Sequence, residues 1–224
     1  WGRMGIALTN YFGGPSRTVL LDDFQVTELE PAYPVSDKVV VDSMGQWVEA
    51  EWKDKLAGEN EMKAYLTEQA AKAVPARETD RLSHYGGSKD KRFEASGFFR
   101  TQKDGDRWLL VDPEGYAFYS IGIDIVGVGI GGNVEGISGL HEWLPKPTNE
   151  TYADAWTMVD YVPDIRSDSG TSRSNLFDFS TANLIKVFGE NWRQPWMDIT
   201  ARRLIQWNVN TVGNWSDMDF ARKS

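Results

Sequence analysis

The order of regular elements in the second half of the chain constrains the fold most. A strand-like run of apolar and aromatic residues extends from Ala117 to Ile123, and helical periodicity runs from Ser180 to Trp207. Asn208, a residue type that tolerates the left-handed conformation at a helix end, precedes another short apolar run from Val209 to Gly213. Strand, loop, helix and strand in this order predict a βαβ unit with two parallel strands.

A βαβ unit of this kind is found at the start of a (β/α)8 TIM barrel, so the expected fold class is α/β. Eight repeats need about 250 residues, whereas the second predicted barrel strand lies close to the last residue, Ser224. We therefore expect residues 97–224 to be the N-terminal part of a barrel that does not close within this chain. On this interpretation the chain is a fragment.

The N-terminal residues have a different character. Two short strand-like runs, Ile6–Leu8 and Thr18–Leu21, flank a turn rich in Gly and Pro. Because two or three strands alone cannot bury a sheet face, we expect residues 1–31 to be the C-terminal strands of a β-sandwich, jelly-roll-like domain. The Pro-containing segment from Glu30 to Pro34 indicates a linker, and residues 32–96 are expected to be a linker and barrel-packing segment.

Further elements are predicted between the linker and the βαβ unit. Val39–Val41 favours a short strand, and Glu59–Ala73 has helical spacing. Phe98–Thr101 and Trp108–Val111 are separated by an Asp-Gly-Asp turn, which predicts a hairpin. Residues 127–171 are rich in Gly, Pro, Asn and Ser, which predicts a long irregular loop, and loops of such length are usually functional.

Charge and composition exclude several classes of function. The formal net charge of −9 and the lack of a Lys/Arg cluster argue against nucleic acid and anionic membranes as partners. The chain has no cysteine and two histidines, so we expect no metal site and no cofactor. Gly127 to Gly132 fits a dinucleotide-binding spacing, but the breaks that follow it leave no room for the required helix.

Three sequence blocks resemble the β-agarases of glycoside hydrolase family fifty, in matching order and spacing between about residues 34 and 217. The blocks are Val41-Asp42-Ser43-Met44-Gly45-Gln46 with Trp52; Gly97–Thr101 through Trp108–Gly115 to Phe118–Asp124; and Phe177-Asp178-Phe179 through Ala182-Asn183-Leu184 to Arg203-Leu204, Trp207 and Asn210–Asp217. The last run, Asn-Thr-Val-Gly-Asn-Trp-Ser-Asp, is the most specific. Where the family usually has Gly after the Trp, this chain has Asn208, which also tolerates a positive φ.

The resemblance implies a β-sandwich resembling a carbohydrate-binding module, followed by a (β/α)8 barrel that cleaves β-1,4 links in agarose with retention. Retaining hydrolysis needs two carboxyl groups about 5–5.5 Å apart. The family places these glutamates on the fourth and seventh barrel strands, which are expected beyond Ser224, so no catalytic residue is assigned here. The expected partners are agarose or an agaro-oligosaccharide and the remainder of the same enzyme, and the expected location is secreted or periplasmic.

Candidate substrate-binding residues follow the two predicted barrel strands. Asp124 ends the first strand, and Asn214, Trp215 and Asp217 end the second, so all four are expected at the rim where barrel active sites lie. An aromatic platform beside amide and carboxylate groups suits a sugar. The alternative reading is structural, in which Trp215 caps the barrel and Asp217 caps a following helix.

His141, Glu142 and Trp143 lie in the long predicted loop over the same rim, and they are weaker candidates because loop residues of these types are often structural. The remaining tryptophans at strand and helix positions are expected to pack in the core: Trp108, Trp192, Trp196 and Trp207. Two other functions stay open on the sequence alone. They are a non-catalytic carbohydrate-binding fragment and a related barrel glycosidase that acts on another β-galactoside.

Overall fold

A computed structural model of the chain describes residues 38–72, 74–134, 136–161 and 172–223. These residues lie within a compact unit that comprises Val35–Ser224. The sandwich strands and the Pro-containing linker predicted before residue 35 lie outside the described residues.

The predicted helix near residue 60 is confirmed as α1 (Glu59–Ala71). The apolar side of this helix is narrow, and Met62 is its one fully buried residue. The strand predicted at Val39–Val41 is reduced to single bridges, in which Val41 pairs with Trp47 and with His141. Isolated bridges at a single residue do not make a strand, so the prediction of a strand at Val39–Val41 is wrong.

A four-stranded antiparallel sheet follows α1. Its strands are β1 (Ser88–Arg92), β2 (Arg100–Asp104), β3 (Arg107–Val111) and β4 (Tyr116–Phe118), in the order β1-β4-β3-β2. The predicted hairpin is confirmed as β2–β3, whose register runs from Arg100 opposite Val111 to Asp104 opposite Arg107. Strand β1 lies in a polar segment that sequence patterning did not identify as a strand.

The single strand expected from Ala117 to Ile123 divides into two. Its first part is β4, and its second part is β5 (Gly122–Ile123), which belongs to a different sheet. Tyr119 lies between them with its side chain exposed. A continuous apolar run therefore serves two sheets, which periodicity alone does not reveal.

The region expected to be an irregular loop contains regular structure. It holds β6 (Gly132–Asn133), 3-10 helices at Ser138–Leu140 and Glu150–Ala155, and β7 (Trp156–Tyr161), which pairs antiparallel with β8 (Ser172–Phe177) directly after the predicted loop. The Trp156 and Phe177 rings lie 4.8 Å apart on facing strand positions. Most other positions of β8 are polar, so the sequence pattern does not predict a strand there.

Two helices then return the chain to β5, as the sequence predicts. They are α2 (Phe179–Phe188) and α3 (Arg193–Gln206), and Asp178 caps α2 by accepting a 2.8 Å hydrogen bond from the Ser180 amide. Asn208 has a φ of 59°, which confirms its predicted left-handed conformation after α3. Strand β9 (Thr211–Val212) and helix α4 (Met218–Lys223) complete the described chain.

Strands β5 and β9 are parallel, with Gly122 opposite Thr211 and Ile123 opposite Val212. The βαβ order predicted from the sequence is thus present. The helices of this unit share one hydrophobic core with side chains from the strands and loops around them. Its buried members are Val126, Val134, Ala155, Phe177, Ala182, Leu184, Ile185, Trp192, Trp196, Met197, Leu204 and Phe220.

The four tryptophans expected in the core divide evenly. Trp192 and Trp196 are buried, as predicted. Trp108 and Trp207 are mostly exposed, so the prediction for them is wrong. Trp108 lies at an exposed position of β3, and Trp207 is the C-cap residue that follows α3. Across the described ranges, no helix is both long and apolar enough to cross a membrane.

Candidate functional site

The carboxyl ends of β5 and β9 bring four of the sequence-predicted residues together. Because the strands are parallel and adjacent, the chain leaves both of them at the same edge. We call the residues that follow, Asp124, Ile125, Asn214, Trp215 and Asp217, the strand-end rim. Apart from Asp217, which is half-buried, their side chains are exposed.

Asp124 joins the two strand ends. Its Oδ1 accepts a 2.8 Å hydrogen bond from the Asn214 amide. A Cβ atom at Gly213 would overlap the same carboxylate oxygen, so the close approach requires glycine at that position. Asp124 therefore fixes the backbone of Asn214 through one oxygen of its carboxylate.

Two bulky rim residues adopt left-handed backbone conformations. Ile125 has a φ of 59° and Trp215 a φ of 57°, and the Ile125 amide donates a 2.8 Å hydrogen bond to the Asn214 carbonyl. Such values are outliers for β-branched and bulky side chains, and they cost about 1–2 kcal/mol each. Their side chains are 58% and 80% exposed, respectively, so burial does not offset this cost.

Asp217 has clear structural contacts. Its Oδ1 accepts a 2.9 Å hydrogen bond from the Phe220 amide at the start of α4, and its Oδ2 lies 2.8 Å from Arg193 Nη2. Burial raises the pKa of Asp217, but the Phe220 hydrogen bond and Arg193 outweigh it, so the pKa lies below its ordinary value. Asp217 is thus the member of the rim that also serves as an ionised helix cap.

The three loop candidates form a separate group, which we call the loop cluster: His141, Glu142 and Trp143. The His141 ring stacks on Phe179 with centroids 5.8 Å apart, and its Nδ1 lies 3.1 Å from the Ile137 carbonyl oxygen. The Glu142 carboxylate accepts a 3.0 Å hydrogen bond from the Ser43 amide. Both side chains therefore have partners within the chain.

Trp143 lies in an aromatic group at the edge of the core. Its ring centroid is 5.0 Å from that of Tyr152 and 5.9 Å from that of Phe177, and Lys186 Nζ lies 3.8 Å from its ring. Such a short distance favours a cation–π interaction. Trp143 is partly buried, and it packs against the same core cluster that contains Val126.

Sequence reasoning missed the ion pair that supports the loop cluster. Lys186 Nζ lies 2.6 Å from Glu59 Oε1 and donates a 2.7 Å hydrogen bond to the Ser43 carbonyl. The hydrogen bond from Lys186 is the main reason that the pKa of Glu59 is lowered, against the opposing effect of burial. The partners are 127 residues apart in sequence, so no local pattern indicates the pair.

Sequence reasoning also missed Ile125. The sequence carries no signal for it, because isoleucine rarely adopts the left-handed conformation.

An apolar cleft of about 1060 Å³ lies elsewhere, at the amino-terminal end of β9, and is lined by residues such as Phe99, Phe118, Leu204 and Asn210. In the described part of the chain, no three His, Asp or Glu side chains converge to hold a metal ion.

Comparison with known proteins identifies relatives of the chain. It is 26% identical to β-agarase B of Vibrio sp. (strain JT0107) over 208 aligned residues, which cover 81% of this chain and 21% of that protein. It is 28% identical to β-agarase A of the same strain over 222 aligned residues, which cover 92% of this chain and 21% of that protein. The resemblance to β-agarases is confirmed. No family model matches the chain.

Solved structures agree with the curated β-agarases. The chain matches the structure of PfGH50B with a TM-score of 0.66 at 28% identity, covering 82% of this chain and 28% of that one. It matches the agarase AgWH50C with a TM-score of 0.63 at 27% identity, covering 83% and 29%. An exo-β-agarase, at 22% identity and a TM-score of 0.62, shares the fold over 81% of this chain and 30% of its own.

The agarase-like chain spans about a fifth of the length of the curated relatives it matches. The comparisons do not assign a role to any residue of the strand-end rim or the loop cluster.

Proposed function

We propose that the chain is part of a retaining glycoside hydrolase that cleaves the β-1,4-galactosidic links of agarose or agar oligosaccharides. The observation that carries this proposal is the similarity to β-agarases A and B over most of the chain. The proposed partners are agarose or an agaro-oligosaccharide and the remainder of the same polypeptide. A polymeric substrate is met outside the cytoplasm, so we propose a secreted or periplasmic enzyme.

The proposed fold is the start of a (β/α)8 barrel, in which β5 and β9 are the first two barrel strands. Their parallel pairing and the intervening helices α2 and α3 support this assignment. Residues 1–31 would be the last strands of a carbohydrate-binding-module-like sandwich and residues 32–96 a linker and packing segment. The two catalytic glutamates would then lie outside this chain.

The strand-end rim is the proposed sugar-binding surface. The exposed Trp215 ring would stack on the apolar face of a galactose unit, while the Asn214 amide and the free oxygen of Asp124 would bond to hydroxyl groups. Asp217 would act beside them through its unoccupied lone pairs. His141, Glu142 and Trp143 stay predicted contacts, and their existing partners limit the atoms they offer to a sugar.

The test uses the full-length protein and agarose. We expect release of reducing ends, and proton NMR during the first turnovers should show the β-anomer of the product before mutarotation, since retention conserves the anomeric configuration. The isolated 224-residue chain serves as the matched control and should release none. An initial α-anomer would contradict retention, and agarose binding without release of reducing ends would favour a non-catalytic binding role.

A further inference from the structure

Ile125 is the feature of the rim that folding explains least. Among the described residues, four non-glycine residues have a positive φ: Asp54, Ile125, Asn208 and Trp215. Asp and Asn adopt this conformation readily, whereas Ile and Trp do not. The two unfavourable cases both lie at the strand-end rim, where the Ile125 amide donates a hydrogen bond to the carbonyl of Asn214, the residue before Trp215.

The backbone around these two residues is fixed on each side. The Val126 amide donates a 3.0 Å hydrogen bond to Ser216 Oγ, and the Asp217 amide donates a 2.7 Å hydrogen bond to the Val126 carbonyl. With the Asp124–Asn214 and Ile125–Asn214 hydrogen bonds, these contacts lock the two strand ends together. The left-handed conformation at Ile125 is therefore imposed by its surroundings and does not arise from its own preference.

Burial within this chain does not account for an isoleucine at this position. Ile125 is 58% exposed, while the next residue, Val126, is 7% exposed and belongs to the core. A glycine or asparagine would fit the same backbone with less strain. Strain of this kind, held in place by the surroundings, concentrates at functional sites, where a side chain has to be presented in one direction.

We propose that Ile125 is a substrate-contacting residue that forms, together with Trp215, one apolar surface for the C–H face of a pyranose ring. This inference rests on the proposed function and deepens it, because it adds a specificity-determining residue to the rim. The locked strand ends hold both side chains outward before the sugar arrives, so little conformational entropy is lost on binding.

The experiment compares Ile125→Gly, Ile125→Asn and Ile125→Val in the full-length protein. Binding of a thio-linked agaro-oligosaccharide, which resists hydrolysis, is measured by calorimetry, and the thermal midpoint is recorded for each variant. We expect Ile125→Gly to weaken binding roughly three- to tenfold while the midpoint stays unchanged or rises, because strain is relieved and little packing is lost.

The other variants separate apolar contact from loop flexibility. Ile125→Val keeps an apolar branched side chain and should retain binding within about twofold. Ile125→Asn suits the backbone but is polar, so it should lose binding nearly as Ile125→Gly does. Asn208→Gly relaxes a left-handed residue at the other end of β9 and should leave binding unchanged.

Three results would overturn the inference and leave the proposed function standing, and a fourth would overturn both. Unchanged binding by Ile125→Gly would remove the proposed contact, and normal binding by Ile125→Asn would show that backbone freedom and not the apolar surface matters. A large fall in the midpoint of Ile125→Gly would make Ile125 a packing residue. If the folded wild-type protein binds no agaro-oligosaccharide, the proposed function fails and this inference fails with it.

Discussion

The strand-end rim and the loop cluster contain the same kinds of side chain but use them differently. In the rim, the aromatic Trp215 and the aliphatic Ile125 are exposed on a strained backbone. In the loop cluster, Trp143 packs against other rings and a lysine, and His141 stacks on Phe179. Residue type alone therefore does not distinguish the proposed sugar-binding surface from a cluster that holds a loop in place.

The two regions meet at one hydrophobic core. Val126, which follows the strained Ile125, is buried in the same cluster against which Trp143 packs. The core thus supports the rim from one side and the loop cluster from another. We therefore expect the loop cluster to stabilise the fold and the rim to contact the sugar. Each prediction below tests one of these two roles.

The largest expected effect is on stability, from Trp143→Ala. Removing the ring leaves a space beside Tyr152, Phe177 and the Lys186 ammonium group, and we expect a loss of about 3 kcal/mol in the free energy of unfolding. Equilibrium urea unfolding of the full-length protein measures it. Trp143→Phe should recover part of the loss. Normal stability with abolished agaro-oligosaccharide binding would instead make Trp143 a substrate contact.

The next effect is on catalysis, from Trp215→Ala. Loss of the exposed ring should lower kcat/KM about tenfold, equivalent to about 1.4 kcal/mol, because the sugar is positioned less well. The thermal midpoint should change little, since the ring is 80% exposed. Trp215→Phe is the matched control and should keep most activity. A variant with low stability and normal kcat/KM would show that Trp215 caps the barrel.

Much of the fold could be predicted because its signals are local. Helical periodicity gave α1, α2 and α3, an Asp-Gly-Asp turn gave the β2–β3 hairpin, and the order of elements gave the parallel pair β5–β9. The β7–β8 pair was not predicted, because polar residues occupy most of β8. The burial of Trp108 was predicted wrongly, because alternation along β3 does not show which face of the strand is covered.

The site could be predicted only where position in the chain decides it. Residues after parallel strands must meet at one edge, so Asp124 and Asn214 were expected at the same rim, and the hydrogen bond between them shows that the two strand ends lie close together. The left-handed Ile125 and the Glu59–Lys186 pair could not be predicted. Both depend on contacts between residues far apart in the sequence, and neither residue type signals the outcome.

A smaller effect is expected at the border of the rim, where Asp217 caps α4. Asp217→Ala removes the acceptor of the Phe220 amide and the partner of Arg193, and should cost about 1 kcal/mol. Asp217→Asn keeps the cap and should cost less. Urea unfolding separates the two variants. If both keep full stability and both bind agaro-oligosaccharide poorly, Asp217 acts on the sugar and not on the helix.

The smallest expected effect is a pH dependence of the Glu59–Lys186 ion pair that supports the loop cluster. Lys186 lowers the pKa of Glu59 in the folded protein, so the unfolded chain binds this proton more readily. The stabilisation is therefore complete above the unfolded value of 4.5 and is lost as the pH falls through the lower folded value. Because Glu59 is 37% exposed, solvent screening limits the contribution to less than about 1 kcal/mol.

Glu59→Gln provides the measurement. The stability difference between wild type and this variant should be greatest near neutral pH and shrink below pH 4.5, where Glu59 becomes protonated in the wild type as well. In a Lys186→Met background, the same substitution should alter the pH profile much less, since the main partner is gone and only the weaker effects of Ser43, Lys63 and burial remain. A pH-dependent difference of the same size in that background would contradict the role of Lys186 and assign the effect to the other groups around Glu59. Agaro-oligosaccharide affinity at neutral pH should respond less to Glu59→Gln than to Ile125→Gly, because Glu59 supports the loop cluster and Ile125 lies at the rim.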